Sequence, residues 1–199
     1  MSLTISYNSS LVIDSLFDYA VGKDVAVVGL YCDFLAQHEQ STTNILGTML
    51  KQLAGRGGIP KHIRGAFQKA KNEFSGCGLQ LPDMIDILTE TVTSLPRLLI
   101  CLDALDECTP KNRRELLESL REIVRVSPGA RVFLTGRPHI DDEIARYFSK
   151  ALRIPLSPTH GDIISYLEMR LDSDTDPNAM DDGLRADIMR IVPENISER

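Results

Sequence analysis

The run Leu98-Leu99-Ile100-Cys101-Leu102-Asp103-Ala104-Leu105-Asp106-Glu107-Cys108 constrains this chain more than any other stretch. An apolar segment of strand character ends in three carboxylates, Asp103, Asp106 and Glu107. A near-continuous apolar strand belongs inside a parallel sheet with both faces covered. Acids at its carboxyl end then lie at the edge where open α/β folds meet ligands and metals. A carboxylate there can hold Mg²⁺ through water, and a second acid a turn further on can orient an attacking water. On that reasoning Asp103 is the metal-side acid, and Glu107, with Asp106 as the second choice, polarises the water. A bare apolar run followed by Asp also describes a solvated loop after a buried strand. Ala104 makes the pattern more specific, because a small residue directly after Asp103 leaves room for a bulky metal-bound group.

Around this run, strand and helix signals alternate. Leu11–Ala20 carries a helical rhythm. Val25–Phe34 is β-branched and nearly all apolar, as a doubly buried strand requires. Ser41-Thr42-Thr43 can cap a helix through Ile45, Leu46, Met49, Leu50 and Leu53 that stops at Gly55. Gly55–Pro60 reads as a turn, with a second helix from Pro60 to about Phe74, the turn Ser75–Gly78, and a helix from Pro82 through Val92. After the acidic strand come a helix over Lys111–Val126, a break at Ser127-Pro128-Gly129, a strand over Arg131–Thr135, a short helix, and a strand over Leu152–Leu156. Helices over Gly161–Leu171 and Asn178–Val192 close the chain. The alternation predicts an α/β fold, a three-layer, mostly parallel sheet followed by C-terminal helices. The acidic, turn-rich Asp172–Pro177 marks a boundary between residues 1–171 and a linker with helical segment over 172–199.

Composition narrows the function classes. A net charge of −6 opposes nucleic acid and anionic membrane surfaces, and there is no basic block to offset it. No apolar run reaches the ~20 residues of a membrane span, and the N-terminus does not read as a signal peptide. Cys32, Cys77, Cys101 and Cys108 show no paired metal-ligand spacing and read as free thiols of a reducing cytosol. His38, His62, His139 and His160 are scattered, which argues against a metal cluster. These features predict a soluble, cytoplasmic protein. Asp162, after Thr159-His160-Gly161, reads as a first-turn helix acid favoured by the dipole.

Four motifs in order, YCDFLAQHEQSTTNILGTMLKQL, CLDALDEC, SPGARVFLTGRPHI and DIISYLEMRL, resemble the NACHT domain of the STAND class of P-loop NTPases. More narrowly, they resemble fungal NACHT proteins with a nephrocystin-3-like N-terminal NTPase region ahead of ankyrin or WD repeats. The similarity runs from about Leu11 to Arg199. It implies a P-loop NTPase fold with Mg²⁺ and ATP or GTP as cofactors. It makes Asp103 the Walker B acid, adds Asp106 and Glu107 as the family's further acids, and makes Arg137 the sensor of the terminal phosphate. A guanidinium suits that role through paired, charge-assisted contacts with phosphate oxygens. Thr135 reads as a turn or cap hydroxyl.

The chain departs from that family in one respect. The family's GxxxxGK[ST] loop cradles phosphates with backbone N–H groups and a Lys. Gly22-Lys23 is the only Gly-Lys pair here, with Asp24 after it and no glycine five residues earlier. The expectation is therefore an N-terminally truncated core, cut at both ends, impaired in binding and hydrolysing nucleotide. A central sheet edge would be left open, and partners would be proteins or further copies bound through the NACHT region. The alternative is a nucleotide-independent interaction module that pairs with NACHT partners. A phosphatase with Asp103 as nucleophile is disfavoured, since Asp103 and Asp106 stand three apart rather than two.

Overall fold

The computed structural model describes residues 3–55, 65, 80–173 and 181–197. It divides into two compact units, Met1–Leu152 and Arg153–Arg199. The first contains α1 (Leu3–Ala20), β1 (Ala26–Tyr31), α2 (Thr42–Ala54), α3 (Leu81–Thr93), β2 (Leu98–Asp103), α4 (Pro110–Val126), β3 (Ala130–Leu134) and α5 (Asp141–Tyr147). The strands form one parallel sheet in the order β1-β2-β3, with Ala26 opposite Leu98 and Leu98 opposite Ala130. This is the α/β class that the sequence predicts.

Pleating sends alternate residues of the strands to opposite faces. Ala26, Val28 and Leu30 of β1 and Leu98, Ile100 and Leu102 of β2 join one core with α2, α3 and α4. The helices reach it through apolar stripes at helical spacing, Leu46, Met49 and Leu50 on α2 and Leu116, Leu117, Leu120 and Ile123 on α4, all buried. The other face is thinner: Ala20, Val25 and Val27 form a small cluster, with Leu16 and Leu99 packed against it. Gly29 lets α1 approach here, since a Cβ at this position would stand 2.9 Å from Ile13 Cγ2.

Side-chain chemistry at the helix ends follows the sequence. Ser41 caps α2 by accepting from the Asn44 amide, and Thr109 caps α4 by accepting from the Asn112 amide, with Pro110 at the first turn. The two edges of the sheet differ. On β1, Gln52 of α2 donates to the Gly29 carbonyl at 2.7 Å and accepts from the Gly29 amide at 3.0 Å, taking the place of a neighbouring strand. On β3, Val132, Phe133 and Leu134 are half-exposed, and β2 is the one strand paired with it among the described residues.

Several boundaries shift. β1 ends at Tyr31, not Phe34, because Asp33 turns the chain into the 3-10 turn Phe34–Ala36 by accepting from the Leu35 amide. α1 begins at Leu3, eight residues before the predicted start. Leu152–Leu156 forms no strand: no ladder engages it, and Leu152, Ile154 and Leu156 are 86%, 66% and 56% exposed. Alternating apolar residues make a strand only where a neighbour takes their backbone groups. Apart from Gly55 and Gly65, the predicted turn Gly55–Pro60, the predicted helix from Pro60 to about Phe74 and the turn Ser75–Gly78 lie outside the described residues.

The second unit holds α6 (His160–Asp172) and α7 (Asp182–Ser197), which contact each other. Thr159 and Asp162 form a reciprocal capping box at the start of α6. The Thr159 hydroxyl and amide hold the Asp162 carboxyl below the usual carboxylate range. Among the described residues no helix is long and apolar enough to cross a membrane.

Candidate functional site

The acids gather where β2 ends. Asp103 is its last residue and only 4% exposed. A buried carboxylate requires donors, and the neighbouring strand supplies one: the Thr135 hydroxyl, just past β3, donates to Asp103 Oδ1. The same hydroxyl oxygen accepts from the Ala104 amide at 3.0 Å. The Thr135 backbone completes the lock, its amide donating to the Leu102 carbonyl at 3.0 Å and its carbonyl accepting from Leu105 at 2.9 Å. Thr135 is therefore no simple turn hydroxyl; it fixes the acid and the backbone that leaves the strand. Sequence reasoning missed it, although the parallel register that sets Leu102 opposite Leu134 places 103 beside 135.

Ala104 turns the chain with φ 54° and ψ 44°, a left-handed conformation that only glycine adopts without penalty. The turn throws Leu105 into the core and leaves Asp106 and Glu107 on a 3-10 turn, Leu105–Glu107, above the sheet edge. Replacing Ala104 with Gly removes the Cβ conflict. We expect a gain of about 0.5–1 kcal/mol, read as a rise in melting temperature.

The other predicted residues take separate partners. Asp106, whose side chain is 7% exposed, accepts from the Arg137 amide at 3.2 Å and faces the Arg137 guanidinium at 3.4 Å. The Arg137 side chain is 56% exposed, so the pair is worth only about 0–1 kcal/mol. Glu107 is turned the other way. Its carboxylate accepts from the Phe34 amide at 3.0 Å and its carbonyl accepts from Gln37 at 2.6 Å, tying the acidic turn to the segment after β1. The structure thus joins Asp106 to Arg137 and Asp103 to Thr135, and it holds Glu107 against Phe34.

Below the turn, Arg113 of α4 reaches the Cys108 carbonyl at 3.1 Å and Glu143 of α5 at 2.7 Å. It anchors the descent into α4. The shallow depression lined by Tyr19, Lys23, Asp24, Val25, Pro96 and Arg97 lies at the amino ends of β1 and β2, opposite the acids.

Residues 6–137 match the family model described as nephrocystin 3, N-terminal. The chain belongs to the nephrocystin 3 N-terminal family. A comparison with curated proteins finds no match. The matched part of this nephrocystin 3 N-terminal domain takes in all three strands, the acidic turn and Thr135, and its last residue is Arg137.

Among the described residues no group of three or more His, Cys, Asp or Glu is placed to hold a metal ion, and what the strand end offers a hydrated Mg²⁺ is Asp103. That ion keeps several waters and binds through one or two carboxylates, and Asp103 offers one already oriented by a hydroxyl. The strand end does not fit a triphosphate. Asp103, Asp106 and Glu107 carry three negative charges, and among the described residues the guanidinium paired with them is Arg137. No GxxxxGK[ST] stretch supplies the amides and Lys that would offset the rest.

Proposed function

We propose that this chain is the acid-bearing part of a NACHT-type nucleotide-switch module, of the STAND P-loop class, from a cytoplasmic, fungal NLR-like signalling protein. By itself it is impaired in binding and hydrolysing ATP or GTP. The observation that carries this reading is the Thr135 lock on Asp103, with Arg137 two residues further on. A solvated loop after a strand needs no buried carboxylate held between two strand ends, whereas a metal-side acid needs a fixed one. Asp103 would take a hydrated Mg²⁺, and Asp106 and Glu107 are the accompanying acids. Arg137 is the cation nearest a bound anion, once released from Asp106.

Mass action supplies the test. A ligand at a hundred times its Kd raises stability by about 2.7 kcal/mol, several degrees in melting temperature for a chain of this size. With Mg-ATP or Mg-GTP in millimolar excess, we expect a melting temperature unchanged from that with Mg²⁺ alone. A clear rise with either nucleotide would overturn the impaired-binding reading.

A second reading is a nucleotide-independent interaction module, with protein partners or further copies of itself. The half-exposed Val132, Phe133 and Leu134 on β3 favour it, since Gln52 closes the β1 edge and nothing comparable covers this one among the described residues. Sedimentation velocity over a range of concentrations distinguishes the two. Self-association without nucleotide supports the module, and a strictly monomeric folded species counts against it.

A further inference from the structure

Cys32 and Cys108 meet behind the acidic turn. Cys32 follows β1, its amide donating to the Asp103 carbonyl at 3.0 Å, and Cys108 closes the 3-10 turn that carries Asp106 and Glu107. Both are buried, and their sulfurs stand 2.7 Å apart although 76 positions separate them in sequence. Both belong to the core under α2, α3 and α4. Cys101 is buried in the middle of β2 and lies outside that core, between Ile100 and Leu102, which face into it. The alternation of the strand puts its side chain on the other face of the sheet. We propose that Cys32 and Cys108 are a modification site, a dithiol that a small peroxide converts to a disulfide bolting the end of β1 to the acidic turn.

The two sulfurs are not equivalent. Either sulfur can donate to the other across the contact, and the Arg113 guanidinium lies beside Cys108, bonded to its carbonyl at 3.1 Å. With the Arg113 guanidinium beside it, Cys108 serves as the attacking thiolate and Cys32 as the resolving thiol. The Cys108 sulfur attacks one peroxide oxygen, the O–O bond breaks, and a sulfenic acid and hydroxide form. The Cys32 sulfur then attacks the sulfenic sulfur and loses its proton, the S–O bond breaks, and water leaves. Two thiols are oxidised by two electrons, and one hydrogen peroxide is reduced to two waters. Asp33 alone separates Cys32 from the 3-10 turn Phe34–Ala36, which buries none of its own residues and is the segment whose opening would admit a peroxide.

The test is peptide mapping of the folded full chain after hydrogen peroxide, digested without reductant. Trypsin yields one peptide from Asp24 to Lys51 with Cys32, and another from Leu98 to Lys111 that holds both Cys101 and Cys108. The map is therefore repeated on a C77S/C101S variant, which keeps the pair and removes the other thiols. We expect the two peptides linked within one chain, in wild type and variant alike. Oxidation should raise the melting temperature by several degrees, and dithiothreitol should reverse the rise. Free Cys32 and Cys108 in the oxidised folded chain, or a bridge to Cys77 or Cys101, would overturn the proposal. So would a bridge between chains, or a linked pair with no shift in melting temperature.

Discussion

Replacing Thr135 by Val is expected to lower the melting temperature by about 4–12 °C, a loss of about 2–3 kcal/mol. Valine keeps the shape of threonine, so packing changes little. What it removes is the hydroxyl that donates to Asp103 and accepts from the Ala104 amide. A 4%-exposed carboxylate loses its donor, and a strained left-handed residue loses the bond that holds its amide. Thr135→Ser keeps the hydroxyl and gives up only a methyl, about 0.8 kcal/mol. Thermal unfolding of the three proteins checks the claim. A valine variant as stable as wild type, or a serine variant as damaged as valine, would show that the hydroxyl is not the anchor. If the two residues act as a unit, Asp103→Asn will also cost less in the valine background than in wild type.

The second large effect is expected at Gly129, in the turn that feeds β3. A Cβ there would stand 2.1 Å from the Pro96 carbonyl oxygen and 3.0 Å from its carbon. Both atoms are backbone, so no rotamer relieves the contact. The Gly129 carbonyl also accepts from Leu98, the first residue of β2, at 3.2 Å. Gly129→Ala must therefore push apart the two chain segments where the β2–β3 pairing begins. We expect a loss of about 3 kcal/mol or more, seen as a fall in melting temperature or a failure to accumulate folded protein. Gly47→Ala is the matched control. That glycine lies inside α2, and its nearest neighbour would be the flexible end of Met84 at 3.7 Å. The substitution should raise stability by up to about 1 kcal/mol, because alanine replaces glycine within a helix. Equal effects at the two positions would contradict the packing described for Gly129.

What the sequence announced and what it concealed divide along a physical line. The strand over Leu98–Asp103 and the helices over Thr42–Ala54 and Pro110–Val126 were legible because apolar period is a local signal, and for the first of these helices so is capping chemistry. The end of β1 was misread because the apolar run Val25–Phe34 continues past the point where Asp33 turns the chain. Leu152–Leu156 has strand composition without a neighbour to pair with, and composition cannot report pairing. In the site, the three acids and Arg137 stood out as charges in a pattern. Thr135 did not, since its role depends on which strand lies beside β2. The Cys32–Cys108 contact was hidden for the same reason: one cysteine ends an apolar run and the other follows two acids, and nothing local signals that the sulfurs meet across 76 positions.

We propose that Asp103, Asp106 and Glu107 belong to an acid site that lacks the means to grip phosphate. Isothermal titration of the full chain with Mg-ATP and with Mg-GTP tests it most directly. We expect no saturable heat for either nucleotide at accessible concentrations, in wild type as in Asp103→Asn. A micromolar affinity in wild type that Asp103→Asn abolishes would contradict it, and would show that this chain holds a complete nucleotide site.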